Sequence, residues 1–275
     1  MLGEEDSLFY LTLHLIILFD MMETPKKDTR VYHSSECCIF RKTKEEYGGL
    51  SNMASGYPLE INGLKILSSE ALYQALKFPG YPKIQEKIIG ERSPMTAKMV
   101  AKPYKDCIRK DWEEVKIKVM RWCLQIKLAQ NYIKFGLLLE QTHLKNIVED
   151  SKKDDFWGAI RYGEEFRGVN ALGRLLMELR SRYYNQRYSS DMFIVHSLNI
   201  VDFKILEQPI QIIDARNSFL ESIKESLNLD NINRNNLLLE NNMNKDESDK
   251  NQVKKRSDAK KKKKRDDSGM LKLPF

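Results

Sequence analysis

Apolar and polar positions along this chain repeat with two different periods, and the switches between them mark its elements. Leu59-Glu-Ile61 and Leu64-Lys-Ile66 alternate by two around Asn62-Gly63. That pair supplies the two positive-φ residues of a type I′ turn, so residues 59–67 read as a tight β-hairpin. Beyond it the period becomes helical. Ala71, Leu72, Ala75 and Leu76 share one side of a helix suited to burial, with Ser69 as its expected N-cap. Ser93-Pro94 places a hydroxyl and then a proline where a helix starts. Asp111 and Glu114 form a capping-box-like pair ahead of a long helix. Val115, Val119, Cys123 and Ile126 make its apolar stripe, with Trp112 near its start. A further helix is expected over Asn131 to Gln141 and a loop over Ser151 to Val169. The last clear helix runs over Ala171 to Tyr183, with Leu172, Leu175, Leu176 and Leu179 inward.

The pattern then weakens. Phe193-Ile-Val195 and Ile200 to Leu206 predict short strands, and Asn217 to Leu227 an amphipathic helix. Eight asparagines fall in the 17 residues from Asn228 to Asn244, and five consecutive lysines run from Lys260 to Lys264. Such a stretch buries too little apolar surface to offset its ordering entropy and is expected to be disordered. The expected organisation is an N-terminal extension (1–36), a compact domain (37–187), a C-terminal extension (188–228) and a basic disordered tail (229–275). The expected fold class is α+β, helix-rich, with a small β-hairpin element.

Charge sharpens this division. The formal net charge is +7, but residues 245–275 hold 12 Lys/Arg against 6 Asp/Glu, leaving 34 against 33 for the rest. The basic character therefore belongs to the tail, a possible attachment point for nucleic acid. Cys37, Cys38, Cys107 and Cys123 lack disulfide-framework spacing, and the four histidines pair with no CxxC or HExxH pattern. Reduced thiols and an intracellular setting, cytosolic or nuclear, are expected, without a metal. The apolar run Leu8 to Phe19 is shorter than the ~20 residues of a spanning helix. It follows acidic rather than basic residues, unlike a signal peptide. No stable membrane insertion is expected.

The chemistry concentrates in Ser69 to Lys77. Glu70, Tyr73, Gln74 and Lys77 recur at intervals that align helical side chains on one ridge. By spacing alone, Glu70 reads equally as an acid that complements the helix dipole, Lys77 as a solvated amine, and Tyr73 and Gln74 as packing. Ser51-Asn52 follows Gly48-Gly49, and Ser93 to Lys98 combines free helix-start amides with Lys98. Both are anion-binding patterns. Asn170 reads as the cap of the last helix, and Arg180 as either an ion pair or a phosphate ligand.

Several segments taken in order resemble the NADAR family, which includes bacterial N-glycosidases acting on riboflavin-pathway intermediates. They are Tyr47-Gly-Gly-Leu-Ser-Asn52, Ser69-Glu-Ala-Leu-Tyr-Gln-Ala-Leu-Lys-Phe78, Ser93-Pro-Met-Thr-Ala-Lys98 and Asp111-Trp112. Val148-Glu149, Asp154-Asp-Phe-Trp-Gly158 and Gly168-Val-Asn-Ala-Leu-Gly-Arg174 onward to Arg180 follow. The resemblance implies hydrolysis of a base–ribose N-glycosidic bond, without a cofactor. The implied substrates are phosphoribosylamino-pyrimidines or ADP-ribose attached to guanine, in nucleotides or nucleic acid.

On that resemblance, Glu70 steadies the sugar cation or acts as base, and Lys77 attacks or traps the anomeric carbon. Asp154 polarises water or binds ribose. Trp157 offers a flat surface to the base, and Gly158 permits close backbone approach. Ser51, Asn52, Tyr73, Gln74, Lys98 and Asn170 are the expected substrate contacts. Many relatives have histidine in place of Ala71, and glycine or aspartate in place of Ala159-Ile160. These differences leave a non-enzymatic ADP-ribose or nucleotide-binding module as the alternative reading.

Overall fold

The computed structural model describes residues 28–187, 189–221 and 223–224. The Leu8 to Phe19 run and the Asn-rich and Lys-rich tail lie outside the described residues, as does part of the helix expected over 217–227. The described chain is α+β and helix-rich. It begins with β1 (Arg30–His33) and β2 (Cys37–Phe40). The hairpin of β3 (Leu59–Ile61) and β4 (Leu64–Ile66) follows, turning through Asn62 at φ 51° and Gly63 at φ 77°. A β-branched residue at Gly63 would be strained in this left-handed conformation, which is why the turn dipeptide is so legible.

Five helices come next: α1 (Ser69–Ala75), α2 (Pro82–Ile89), α3 (Pro94–Ala101), α4 (Trp112–Gln130) and α5 (Tyr132–Gln141). The chain then forms β5 (Asn146–Glu149), β6 (Ile160–Tyr162), β7 (Glu165–Gly168) and α6 (Ala171–Gln186). Four two-residue strands follow, β8 (Ile194–Val195), β9 (Lys204–Ile205), β10 (Gln208–Pro209) and β11 (Ile213–Asp214), and residues 216–221 and 223–224 are helical.

Two pairings position the site. β2 and β5 run parallel, with Phe40 opposite Glu149. β1, β7 and β6 form an antiparallel sheet. The stretch expected as a loop over 151–169 thus contains a hairpin, turning at Gly163. Its partner, β1, lies within the expected N-terminal extension, so the ordered domain starts before Cys37. The signal was weak because Ile160-Arg-Tyr162 is only partly buried and shows no clean alternation.

Local capping also differs from expectation in two places. Ser68, not Ser69, caps α1: its Oγ accepts from the Ala71 amide at 3.2 Å. Asp111 does not complete a capping box. Arg109 donates to its two oxygens at 2.6 and 2.8 Å, a bidentate pair that outcompetes a neutral amide.

The main core lies between α1, α4, α5, α6 and the hairpin, with a second, small cluster of Tyr32, Val148, Ala159 and Phe166. The main core includes Phe40, Leu72, Phe78, Trp122, Cys123, Phe135 and Leu176. α4 runs through its centre, so the single stripe of Val115, Val119, Cys123 and Ile126 is joined by Trp122, Leu124, Leu128 and Ala129. The segment after α6 completes the core. Phe203 packs edge-on against Trp122 at 4.8 Å between centroids, and the Trp122 indole N–H donates to the His196 carbonyl at 2.8 Å. Burial of Phe203, Ile205 and Ile210 stabilises this attachment by roughly 1.5–3 kcal/mol each. Gln85 fixes its register, donating to Lys204 O at 3.2 Å and accepting from the Leu206 amide at 2.7 Å.

Candidate active site

α1 is short and buried all round, so its polar residues face protein rather than water. Glu70 is 5% exposed, yet each carboxylate oxygen has a donor. Asn52 Nδ2 donates to Oε2 and Gln74 Nε2 to Oε1, both at 2.7 Å. Gln74 is one helical turn beyond Glu70, as the ridge predicts. Asn52 comes from the loop preceding the hairpin. The carboxylate is thereby fixed in plane at one wall of a cavity of about 300 Å³.

Lys77 lies beyond the helix rather than on its second turn. α1 ends at Ala75, and the Lys77 amide closes a tighter turn on Gln74 O at 3.3 Å. Its side chain still enters the cavity. Nζ sits 5.4 Å from the ring centroids of both Tyr73 and Trp112, an arrangement that holds the amine without immobilising it in an ion pair. Burial lowers its pKa below the ordinary amine value, Glu70 opposing and Lys98 assisting. Tyr73 is buried between indoles, 5.1 Å from Trp112 and 5.8 Å from Trp157 between centroids. Burial pushes its phenol far above the ordinary value.

The opposite wall follows β5. Glu149 ends that strand, and burial together with the charges of Asp154 and Glu70 pushes its carboxyl up to about 7. Asp154 lies nearer solvent. Its Oδ1 accepts from the Phe156 and Trp157 amides at 3.1 and 2.9 Å, and its own amide is held by Ser151 Oγ at 2.9 Å. This carboxylate thus builds the turn that presents Trp157, while also lining the cavity. Lys98 on α3, and Glu113 and Lys116 on α4, complete the exposed side.

The cavity therefore brings together Glu70, Lys77, Asp154, Asn52, Tyr73, Gln74, Lys98 and Trp157. Ser51, Gly158 and Asn170 are placed behind the wall. Ser51 is buried, with Oγ accepting from the Met53 amide at 3.1 Å. A Cβ at Gly158 would lie 2.5 Å from the Glu149 carbonyl, so its close approach is to β5. Asn170 starts α6 without a side-chain cap. Instead Nδ2 donates to Ile147 O at 2.8 Å and Oδ1 accepts from the Glu149 amide at 3.3 Å. It holds Glu149 from behind. Arg180 does not line the cavity and forms no ion pair among the described residues: it donates to Thr142 Oγ1 and Lys145 O, each at 2.8 Å.

Sequence reasoning assigned no role to Glu149, Trp112, Glu113 or Lys116. Val148-Glu149 and Asp111-Trp112 are among the segments that carry the resemblance, which was the available signal for the first two. Among the described residues, no group of three or more His, Cys, Asp or Glu side chains is placed to hold a metal ion. No described helix is long and apolar enough to cross a membrane.

The cavity thus combines a buried carboxylate held by two amides, an amine lodged between aromatic rings and a second wall bearing carboxyl groups. The model of the NADAR domain matches residues 39–183, more than half of the chain, and the protein belongs to that family. It is 36% identical over 160 residues to N-glycosidase YbiA of Escherichia coli (strain K12), covering 58% of this chain and 96% of that protein. It is 35% identical over 157 residues to riboflavin biosynthesis protein VVA0006 of Vibrio vulnificus (strain YJ016), covering 56% of this chain and 40% of that one. The NMR structure of E. coli YbiA matches with a TM-score of 0.49 at 34% identity, covering 57% of this chain and 90% of that one.

Proposed function

We propose that the protein is an N-glycosidase that hydrolyses a base–ribose bond in this cavity. The observation that carries the reading is Glu70: a nearly inaccessible carboxylate, oriented by Asn52 and Gln74, in the same cavity as an amine of lowered pKa. Such a pair has a cost in stability that a purely structural site would not need. The names of the relatives, an N-glycosidase and a riboflavin biosynthesis protein, agree with it.

In the proposed sequence the neutral Lys77 amine adds to C1′ of the ribose. The C1′–N bond to the base breaks, and its electron pair goes to the base nitrogen. The Glu149 carboxyl supplies a proton to that nitrogen. Glu70 stabilises the positive charge that develops on the sugar and accepts the proton released by Lys77. Glu70 returns that proton to the ring oxygen as the C1′–O4′ bond opens to an imine on Lys77, and water hydrolyses the imine, restoring the amine and releasing the ribosyl portion with its phosphate still attached. The net reaction consumes one water and yields base and sugar. Trp157 covers the departing heterocycle, and Asp154 binds a ribose hydroxyl. A cavity of about 300 Å³ is at the small end of ligand sites. It takes the ribosyl-base end of a substrate and leaves any further phosphate outside, toward Lys98 and Lys116.

The proposed substrates are phosphoribosylamino-pyrimidines and ADP-ribosylated guanine. The test is base release from phosphoribosylaminouracil, ADP-ribosylated guanosine and an ADP-ribosylated guanine oligonucleotide, followed by chromatography. Release from at least one is expected; folded protein inert on all three would overturn the reading. Borohydride added during turnover should give a sugar adduct mapped by mass spectrometry to Lys77. Lys77→Ala should lose the adduct and at least about a hundredfold in kcat.

A further inference from the structure

Lys127 is the most deeply enclosed charged side chain outside the cavity lining: it is 0% exposed, in the middle of the core. Nothing in the proposed chemistry uses it. Its Nζ donates to the carbonyls of Gly49 at 2.7 Å and Ser51 at 3.0 Å. It also lies 4.4 Å from the ring centroids of Tyr57 and Phe135. Burial, with the Lys134 ammonium adding to it, pushes its pKa down to about 7. A buried amine without an acidic partner is costly to keep. An apolar side chain of similar length would fill the same space beside Tyr57 and Phe135 with no such cost. What it could not do is hold two carbonyls of the segment that leads into Asn52.

That segment needs holding. Asn52 uses Nδ2 on Glu70, but its Oδ1 is buried and meets no hydrogen-bond donor among the described residues. The side-chain amide is thus tethered at one end only, by the group it is meant to orient. Its aim must come from the main chain. On one side Lys127 grips Gly49 O and Ser51 O; on the other, Ser69 Oγ donates to Asn52 O at 3.3 Å. The next residues of the same helix end fasten the chain further along. Gln130 exchanges hydrogen bonds with the Glu60 amide and carbonyl, both at 2.8 Å, and Asn131 Nδ2 donates to Pro58 O at 3.1 Å. Gln130 and Asn131 secure the hairpin, whereas Lys127 secures the two residues that set the direction of Asn52.

We propose that Lys127 is a positioning residue for Glu70, acting through the Gly49–Asn52 backbone to aim the Asn52 amide at the carboxylate. This rests on the N-glycosidase reading for its kinetic consequence, but not for its structural one. The two are therefore tested separately in Lys127→Met, with Gln130→Ala as the control that loosens the neighbouring hairpin. NMR of the side-chain amide of Asn52 reads the aim directly. Lys127→Met should shift that resonance and speed its hydrogen exchange at least tenfold, while Gln130→Ala leaves it unchanged. In base release, Lys127→Met should lose at least tenfold in kcat with KM within about threefold, a split expected when a transition-state contact is misplaced. Gln130→Ala should keep near-normal kcat even if its Tm falls as far.

An unchanged Asn52 signal in Lys127→Met, or an equal kcat loss in both variants, would overturn the proposal. If wild-type protein releases no base, the N-glycosidase reading fails while the NMR comparison still decides this one. Should Lys127→Met not fold, Lys127→Gln serves. It keeps a donor but is too short to hold both carbonyls, and is expected to give the same Asn52 shift in a folded protein. An unshifted Asn52 signal there would equally sink the idea.

Discussion

The two walls of the cavity both present a carboxyl group, and they treat it in opposite ways. On the wall of residues 68–77, Glu70 receives one amide donor per oxygen, so hydrogen bonds set its orientation. On the wall of residues 149–158, burial and two like charges act on Glu149 and raise its pKa to about 7. One wall therefore offers a fixed acceptor and the other a proton that can be given up near neutrality. Two carboxyl groups held in different environments are what a reaction needs when one group must receive charge and the other must release a proton. In the proposed N-glycosidase reaction this contrast would give Glu70 the sugar and Glu149 the base.

Changing Glu70 should break this contrast most severely. Glu70→Gln is nearly isosteric, and a turned-over amide at Asn52, whose Oδ1 has no other partner among the described residues, can accept from its nitrogen. The wall then loses its negative charge while its geometry is largely kept. A loss of about 10³-fold or more in kcat is expected, of the order found when a preorganised transition-state contact is removed. Single-turnover base release measures it. A Glu70→Gln enzyme within tenfold of wild type would mean that the carboxylate is structural.

Glu149→Gln should have the next largest effect, about 10²-fold in kcat at neutral pH. Its signature is the pH profile. As a proton donor Glu149 works when protonated, so wild-type kcat should fall as pH rises through about 7, and the variant should lack that limb. Stability carries an independent mark. The folded pKa is raised above the ordinary 4.5. The associated stabilisation is therefore complete below about 4.5 and is lost as pH rises through about 7. Allowing for partial exposure, roughly 2–3 kcal/mol is at stake. Thermal unfolding of wild type at pH 5 and pH 8 should show this loss, and Glu149→Gln should not.

The two walls also differ in how far the sequence revealed them. The first is local. Glu70, Tyr73, Gln74 and Lys77 lie within eight residues, so helical spacing gathers the first three, Lys77 follows just past the end of α1, and a one-residue shift of the cap to Ser68 changes nothing. The second depends on pairing between distant segments. Glu149 reaches the cavity because β5 lies parallel to β2, Phe40 opposite Glu149, and because Asn170 and Gly158 pack behind it. No periodicity within Asn146–Glu149 encodes that partnership. Asn170 and Gly158 were legible as notable residues, but their contacts are with the backbone of β5 and lie outside the cavity lining. The hairpin of β6 and β7 closes locally at Gly163 but shows no clean alternation, and its third strand, β1, comes from the start of the described chain. Strong caps and turns are written in neighbouring residues, whereas a strand pair is written in two places at once.

Asp154→Asn should give the smallest effect and therefore discriminates most finely between building the wall and acting from it. Asp154 Oδ1 accepts from the Phe156 and Trp157 amides, and an asparagine oxygen can accept both. The turn should survive, with a stability loss of about 1 kcal/mol or less. The negative charge disappears, however, and with it one of the two like charges that raise the Glu149 pKa. The variant should therefore show its alkaline limb displaced to lower pH, with a severalfold rise in KM if the carboxylate also holds a ribose hydroxyl. A pH profile superimposable on wild type, in a protein of unchanged Tm, would show that Asp154 only shapes the turn and that burial and Glu70 set the Glu149 pKa without it.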